Sequence, residues 1–357
     1  MTLIYYFSFS VFQRSHQRSS ASMVENINKQ GIFEKIMFEQ KIPLSKYSNY
    51  KIGGPARFFF EAKNVEELKQ AIDKWRQIQS YEAKPRKIFI LGGGTNILFS
   101  NKGFNGLILK PNIQFIEEVS SKVNSQKSKV ILRVGAGVSV TQLLNYSITK
   151  SLTGLEWAAG LPGTIAGAIR GNAGAFGGEM KDIIKGVVSL DISKPGGKII
   201  KRNNQDCNFG YRSSVFKANK GREIIIEATL IFKKGEKKLI QEIAEKNINY
   251  RKAHQPLEYP NIGSIFKNVP LTKNQCLSAF PIKNDPFPVI PAAHLISEAG
   301  LKGISYGGAM ISPKHPNFIV NALGATADDV KTLILLAKNE VYKKFKIKLE
   351  EEIEMLV

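Results

Sequence analysis

Residues 160 to 178 read GLPGTIAGAIRGNAGAFGG, and this stretch limits what the chain can fold into more than any other. Glycine recurs at 160, 163, 167, 171, 174, 177 and 178, with alanine at 166, 168, 173 and 175 between them. A run with so few side chains cannot fill a core. It lets backbone approach something closely, as a bound ligand demands. A second glycine loop, Gly92-Gly93-Gly94-Thr95-Asn96, follows the short apolar stretch Lys87 to Leu91. Its backbone N–H groups are suited to cradling phosphates. It is not the G-x-G-x-x-G of a Rossmann unit: Ile97 stands at the third glycine, and no acidic residue follows at the required spacing. Alone, it reads better as an ordinary tight turn. Two such loops on one lobe point to a long cofactor lying between them, its pyrophosphate against backbone amides.

The segments around the loops mix strand and helix. Ile52-Gly53-Gly54-Pro55 marks a turn before a strand over Arg57 to Glu61. Asn64 and Glu67 resemble a capping box, and Val65, Leu68, Ala71, Ile72 and Trp75 put an apolar stripe on the helix that follows. With the strand at 87–91 this makes a βαβ unit ending in a glycine loop. Further strands are expected at Leu107 to Lys110, Val130 to Val134, Gly186 to Ile192 and Glu223 to Phe232. Ser139 and Gln142 form a second capping box before a short helix. A helix over about 238–252 opens the last third. There Thr326 caps a long helix with Val330, Leu333, Ile334, Ala337 and Val341 on one face. The expected class is α+β.

At 357 residues the chain suits two or three lobes. Its net charge of +21 raises nucleic-acid binding as a reading. The Lys and Arg are dispersed, however, with no block of five or six like charges and no aromatics interleaved in basic clusters. A lysine-rich composition on solvated faces accounts for them better, with attraction of an anionic substrate as a secondary benefit. Cys207 and Cys276 are far apart, with no C-x-x-C and no histidine at zinc spacing. No metal is expected, and a reducing cytoplasm fits two isolated cysteines. No stretch approaches the roughly 18 unbroken apolar residues of a membrane helix. Thr2 to Phe12 are apolar and aromatic and precede a basic, serine-rich run, the reverse of a signal peptide's order. Met23 is taken as the true start, a short disordered arm being the alternative.

Several blocks, in order, carry a resemblance: YKIGGPARFF, LGGGTNILFSNKGFNGLIL, VGAGVSVTQLL, GLEWAAGLPGTIAGAIRGNAGAFGGE, FGYRSSVFK, QPLEYPNIGSIFKN, AGLKGISYGGAMISPKHPNFIVN, ATADDVKTLI and FKIKLEEEIE. Spanning roughly residues 47 to 354, they resemble the enolpyruvoylglucosamine reductase family. The resemblance implies a two-subdomain FAD-binding lobe of the vanillyl-alcohol-oxidase (PCMH) type, over residues 37–234 with a division near 110. A C-terminal α+β substrate-binding domain over 235–357 follows, and residues 1–36 form an extension. It implies FAD and NADPH as cofactors, UDP-N-acetylglucosamine enolpyruvate as the small-molecule partner, and a monomer. No nucleic acid or membrane partner is expected.

The resemblance also assigns residues. Ser264 in GSIFKN matches the proton donor. A serine is a poor acid in water, but a carbon with carbanion character is a strong enough base. Arg212 in FGYR matches the arginine facing the enolpyruvyl carboxylate, and Glu352 matches a late glutamate of the site. Without the motif, Arg212 would read as a surface ion pair and Ser264 as a turn residue. Glu350 and Glu351 read as solvated charges, although alternation along a terminal strand puts Glu350, Glu352 and Glu354 on one face. Gly92, Gly93, Gly94, Thr95, Asn96, Gly160, Pro162, Gly163, Thr164, Gly167, Asn172 and Gly174 are the expected cofactor contacts. Tyr211, Asn268, His315 and Arg170 are the expected substrate contacts, Arg170 being equally a cofactor contact.

The chain departs from the family pattern at Thr95, where Ser is usual, and at Phe176, where Tyr is usual. It has no long tyrosine-bearing loop between Ile224 and Lys252, like the family's second type, and it carries an insertion over about 269–289. Another FAD oxidase of the same superfamily is the competing enzyme reading. No histidine sits in the glycine loops to attach such a flavin, and an oxidase has no use for the GSIFKN and LEEEIE blocks.

Overall fold

A computed structural model describes residues 36–80, 87–119, 129–271, 280–284 and 287–356. The expectations for the N-terminal extension, for Met23 and for Cys276 lie outside these residues. The chain enters with β1 (Glu39–Pro43) and β2 (Pro55–Ala62). Asn64 accepts the Glu67 N–H at 2.9 Å, capping α1 (Val65–Ser80). Glu67 reaches back to the Lys63 N–H at 2.7 Å, one residue before a capping box would place it. Leu68, Ala71, Ile72 and Trp75 of α1 are buried, as the stripe requires. Next come β3 (Ile88–Ile90), β4 (Ile97–Phe99) and β5 (Phe104–Pro111). β2 and β3 do not neighbour each other: β5 inserts between them, parallel to both, giving the order β1-β2-β5-β3. Trp75 meets Phe58 of this sheet at 5.5 Å between ring centres.

The second lobe contains β6 (Ile116–Val119), β7 (Lys129–Gly135), α2 (Val140–Thr149), β8 (Leu152–Thr153) and α3 (Ile165–Arg170). It continues through β9 (Gly174–Ala175), β10 (Gly178–Glu179), β11 (Ile184–Asp191), β12 (Lys198–Asn203), α4 (Val215–Ala218) and β13 (Glu223–Lys234). Ser139 and Gln142 close the expected capping box on α2. The sheet is antiparallel, in the order β12-β11-β13-β7-β6. A register shift on β13, opposite Val188 and Ser189, switches its alternation. Ile224 and Ile226 therefore face the first lobe's core, while Ile225, Ala228, Leu230 and Phe232 face the second's. One strand serves two cores.

The last third holds α5 (Lys237–His254), β14 (Val269–Pro270), β15 (Lys283–Asn284), β16 (Pro288–Ile290), α6 (Ala292–Glu298), β17 (Ser305–Tyr306), β18 (Ala309–Ile311), β19 (Ile319–Asn321), α7 (Ala327–Phe345) and β20 (Glu354–Leu356). α5 packs on the second lobe. Asn247 donates to the Glu156 carbonyl at 2.9 Å and Arg251 to that of Ala159 at 2.8 Å, and Ala244 joins the second core. The change of lobe therefore falls near Gln255, one helix later than the strand end at Lys234 suggests. From there α6 and α7 enclose a third core with β18 and β19. Thr326 and Asp329 form a capping box on α7. The insertion contributes β14, β15 and β16, which pair as β14-β16-β15.

Two devices lock this domain to the first lobe. The buried Tyr50 hydroxyl donates to the Ile319 carbonyl at 2.6 Å, and Asn321 donates to the Tyr50 carbonyl at 3.0 Å. β20 returns to pair in parallel with β4, immediately after the first glycine loop. Among the described residues no helix is long and apolar enough to cross a membrane, and no group of three or more His, Cys, Asp or Glu is placed to hold a metal.

Candidate functional site

The two glycine loops touch. A Cβ on Gly93 would lie 2.7 Å from the Gly163 Cα, and one on Gly92 would lie 3.1 Å from the Thr164 hydroxyl. Gly94 has φ +66, and its missing Cβ would overlap the Tyr47 carbonyl. Thr95 packs against Gly163, whose φ of +115 suits glycine alone. Thr164 caps α3 by accepting the Gly167 N–H at 3.3 Å. Beside the contact opens a cleft, partly open to solvent, lined by Gly92, Thr164, Gly167 and Arg170. Its walls are Ile90, Leu91, Pro111, Phe216, Glu223, Ile224 and Ile225. Bare backbone beside an apolar slot fits a flat ring system joined to a pyrophosphate. The cleft lining contains no histidine or cysteine.

Other positions of the glycine-rich run pack against the protein itself. Gly160, with φ +76, makes room for the Arg251 side chain, and a Cβ on Gly178 would strike the Trp157 ring. Gly174 packs against Gly178 and Glu179. Asn172 is fully buried; its amide donates to Glu179 at 2.8 Å and to the Gly210 carbonyl at 3.0 Å, and it accepts the Lys181 N–H at 3.0 Å. Its side chain is taken up by protein partners. Pro162 is exposed beside Gly163. Phe176 stands edge-on to Tyr250, ring centres 5.4 Å apart, under the Arg251 guanidinium.

Arg212 and Glu352, 140 residues apart in sequence, meet at 2.7 Å. Arg212 also donates to the Gly174 carbonyl at 2.9 Å, which ties it to the glycine-rich run. Reciprocal backbone hydrogen bonds between Gly210 and Ser213 close a turn with Tyr211 and Arg212 at its centre. Arg212 has φ +52, a conformation that glycine or asparagine usually fills. Glu352 is presented by an extended segment whose period of two is borne out. Glu350 pairs with Lys267, Glu352 with Arg212 and Glu354 with Arg170, while Glu351 turns the other way to Lys338. Glu350 is paired but still exposed, as the charge run suggested, whereas Glu351 is paired and half-buried. The run is bound on both faces because the segment lies between two lobes.

Ser264 follows Gly263, which has φ +83 and open space where a Cβ would sit. Its neighbour Ile265 accepts the Glu352 N–H at 2.8 Å, so the serine loop and the glutamate are held edge to edge. Ser264 itself is half-buried. Asn96 of the first glycine loop donates to the Glu352 carbonyl at 3.1 Å. The expected proton donor, arginine, glutamate and cofactor loop therefore converge.

The expected substrate contacts are more dispersed. Tyr211 accepts the Asn268 N–H at 3.3 Å and meets Phe287 of the insertion at 5.2 Å between ring centres. The Asn268 side-chain carbonyl accepts the Ala292 N–H at 3.2 Å. His315 is mostly buried against Phe318; burial holds its imidazole below the ordinary histidine range, with His254 and Lys283 adding to the shift. Among the described residues its Nδ1 has no hydrogen-bond partner. Lys217 and Lys267 also border the site, and residue-by-residue reading did not single them out. Both lie within quoted blocks, FGYRSSVFK and GSIFKN, and that was their only signal.

Residues 56–203 match the FAD binding domain family, and residues 255–356 match the UDP-N-acetylenolpyruvoylglucosamine reductase C-terminal domain family. The chain is 38% identical over 320 residues to the UDP-N-acetylenolpyruvoylglucosamine reductase of Carboxydothermus hydrogenoformans, covering 88% of this chain and 92% of that one. It is 36% identical over 315 residues to that of Lachnoclostridium phytofermentans, covering 88% and 91%. The crystal structure of the reductase from Thermus caldophilus is similar with a TM-score of 0.66 at 27% identity, covering 90% of this chain and all of that one. With a C-terminal domain specific to these reductases and close relatives matched nearly end to end, the chain belongs to the UDP-N-acetylenolpyruvoylglucosamine reductase family.

Proposed function

We propose that this chain reduces UDP-N-acetylglucosamine enolpyruvate to UDP-N-acetylmuramate, with NADPH as the reductant, in cytoplasmic synthesis of peptidoglycan precursors. The observation that carries the reading is the convergence of Arg212, Glu352 and the Ser264 loop beside the paired glycine loops. FAD, when bound, would supply two-electron hydride chemistry between NADPH and the enolpyruvyl methylene carbon. Gly92, Gly93, Thr95, Gly163, Thr164 and Gly167 would hold it, without a covalent link, through backbone and hydroxyl contacts.

The protein's share is charge and a proton. As the methylene carbon gains hydride, negative charge gathers on the adjacent carbon and its carboxylate. Arg212 meets that charge with a fixed cationic fork. Glu352 orients the fork, and Ser264 delivers a proton to the carbon. Asn268 and His315 are assigned to the nucleotide end, and Tyr211 and Arg170 to the border between substrate and cofactor. We assign a monomer acting on a small molecule.

Hydride transfer from NADPH requires no proton on substrate carbon, whereas reduction of the enolpyruvyl group does. Ser264→Ala is therefore expected to leave flavin reduction by NADPH nearly intact and to slow reoxidation by the enolpyruvyl substrate roughly a hundredfold or more. Arg212→Ala and Glu352→Gln are expected to act mainly on reoxidation too, Arg212→Ala also weakening substrate binding. Rapid mixing separates the two half-reactions. Equal slowing of both by Ser264→Ala would make the serine structural and remove it from the mechanism.

A further inference from the structure

Arg212 sits in a left-handed backbone conformation that is costly for a side-chain-bearing residue, with φ +52 at the centre of the Gly210–Ser213 turn. Its guanidinium is fixed by Glu352 and the Gly174 carbonyl, but these contacts hold only the head of the side chain. The base is held by another residue. We propose that Lys217 is a positioning residue for the reduction, gripping the Arg212 carbonyl so that the strained turn keeps the guanidinium aimed at the substrate carboxylate. The proposal rests on the role assigned to Arg212 above.

Lys217 Nζ donates to the Arg212 carbonyl oxygen at 3.1 Å. Among the described residues this is its one side-chain hydrogen bond. Its backbone is fixed in turn. Ser214 accepts the Lys217 N–H at 3.3 Å and donates its hydroxyl to the Arg170 carbonyl at 2.6 Å, anchoring the start of α4 to the end of α3. Six residues of chain thus fold back to clamp their own first member.

The clamp works against electrostatics. Burial pushes the Lys217 ammonium below the usual lysine range, and the Lys267 and Arg170 cations push it the same way, against Glu354 and Glu352. The nearby carboxylates are bonded to other cations: Glu350 to Lys267, Glu352 to Arg212 and Glu354 to Arg170. A desolvated ammonium bonded only to a backbone carbonyl adds little to folding. What it secures is the orientation of one turn, and that turn carries Arg212.

The test is a double-mutant cycle in the full-length flavoprotein, combining Lys217→Met or Lys217→Arg with Arg212→Ala. Lys217→Met is expected to leave flavin reduction by NADPH within about twofold and to slow reoxidation by the enolpyruvyl substrate roughly tenfold, within the range of couplings between contacting residues. Lys217→Arg, which keeps a donor, is expected to recover most of that loss. In the Arg212→Ala background Lys217→Met should change reoxidation by less than about twofold, because its effect passes through the arginine. Titration calorimetry with the enolpyruvyl substrate, independent of turnover, should show weakened binding for Lys217→Met only where Arg212 is present.

If Lys217→Met is silent while Arg212→Ala slows reoxidation, the clamp is overturned and the role of Arg212 stands. Full multiplication of the two defects overturns it as well, because Lys217 would then act directly or through general stability. If both single variants are silent, the assignment of Arg212 falls and takes the clamp with it. Should Lys217→Met yield no folded flavoprotein, Lys217→Gln carries the same comparisons.

Discussion

Arg212 is the residue where backbone preference and chemistry disagree. A left-handed conformation costs a side-chain-bearing residue about 1–2 kcal/mol, a penalty glycine escapes. Arg212→Ala removes the ion pair to Glu352 and keeps the backbone penalty, whereas Arg212→Gly removes both. Arg212→Gly is therefore expected to be more stable than Arg212→Ala by roughly 1 kcal/mol, although both lose the second half-reaction. Denaturant titration of the pair would read this, and the reverse order would remove strain from the account. His315 gives a second test at this scale. Its folded pKa lies below that of an ordinary histidine because burial disfavours the imidazolium. Below pH 6.5 the unfolded chain takes up the proton first, so stability falls as pH drops until the folded histidine also protonates. His315→Gln should flatten the slope of melting temperature against pH in that acid range. An unchanged slope would mean that His315 titrates normally in the folded protein.

At the scale of elements, local signals were read well and neighbour relations poorly. Ser139 with Gln142 closes the box its spacing advertises and Thr326 caps its helix as expected, because a cap is complete within four residues. That β5 would enter between β2 and β3 was not legible, since strand order is settled by contacts between distant segments. Nor was the attachment of α5 to the second lobe, which depends on the carbonyls of Glu156 and Ala159 accepting from its inner face. The glycine-rich run was legible as a place of close approach, but not for what approaches. At Gly163 it is the other glycine loop, at Gly178 the Trp157 ring, and at Gly160 the Arg251 stem. The contact between loops makes a direct prediction. Gly93→Ala would put a methyl group 2.7 Å from the Gly163 Cα, backbone against backbone, with no flexible side chain to yield. The loops must part, and flavin content after gel filtration is expected to fall several-fold. A Gly93→Ala protein that keeps a full complement of flavin would show that the loops need not touch to hold it.

Across the whole molecule, the C-terminal residues connect the reacting groups to the cofactor loop. The late glutamates were recognisable by motif and their shared face by alternation. Their partners were not, because Lys267, Arg212 and Arg170 belong to three segments that only the folded chain aligns. Just past Glu352, β20 lies parallel to β4, the strand that leaves the first glycine loop. Glu354 donates its N–H to the Asn96 carbonyl at 3.0 Å, Ser100 donates to the Leu356 carbonyl at 2.9 Å, and the Glu354 carboxylate pairs with Arg170 at the cleft. A chain ending at Ile353 keeps Arg212, Ser264 and Glu352 but loses every one of these ties. Removing backbone hydrogen bonds worth roughly 0.5–1.5 kcal/mol each, together with a half-buried ion pair, should lower the melting temperature by several degrees. Because Asn96 is itself in the glycine loop, flavin should also be lost more readily than from the full chain. Glu350→Gln is the matched control: it breaks an ion pair on the same face, but at a carboxylate that is 72% exposed, where such pairs contribute little. It is expected to leave flavin content and melting temperature nearly unchanged. If truncation and Glu350→Gln behave alike, the returning strand does not support the cofactor loop, and the connection between the chain's end and its flavin site is broken.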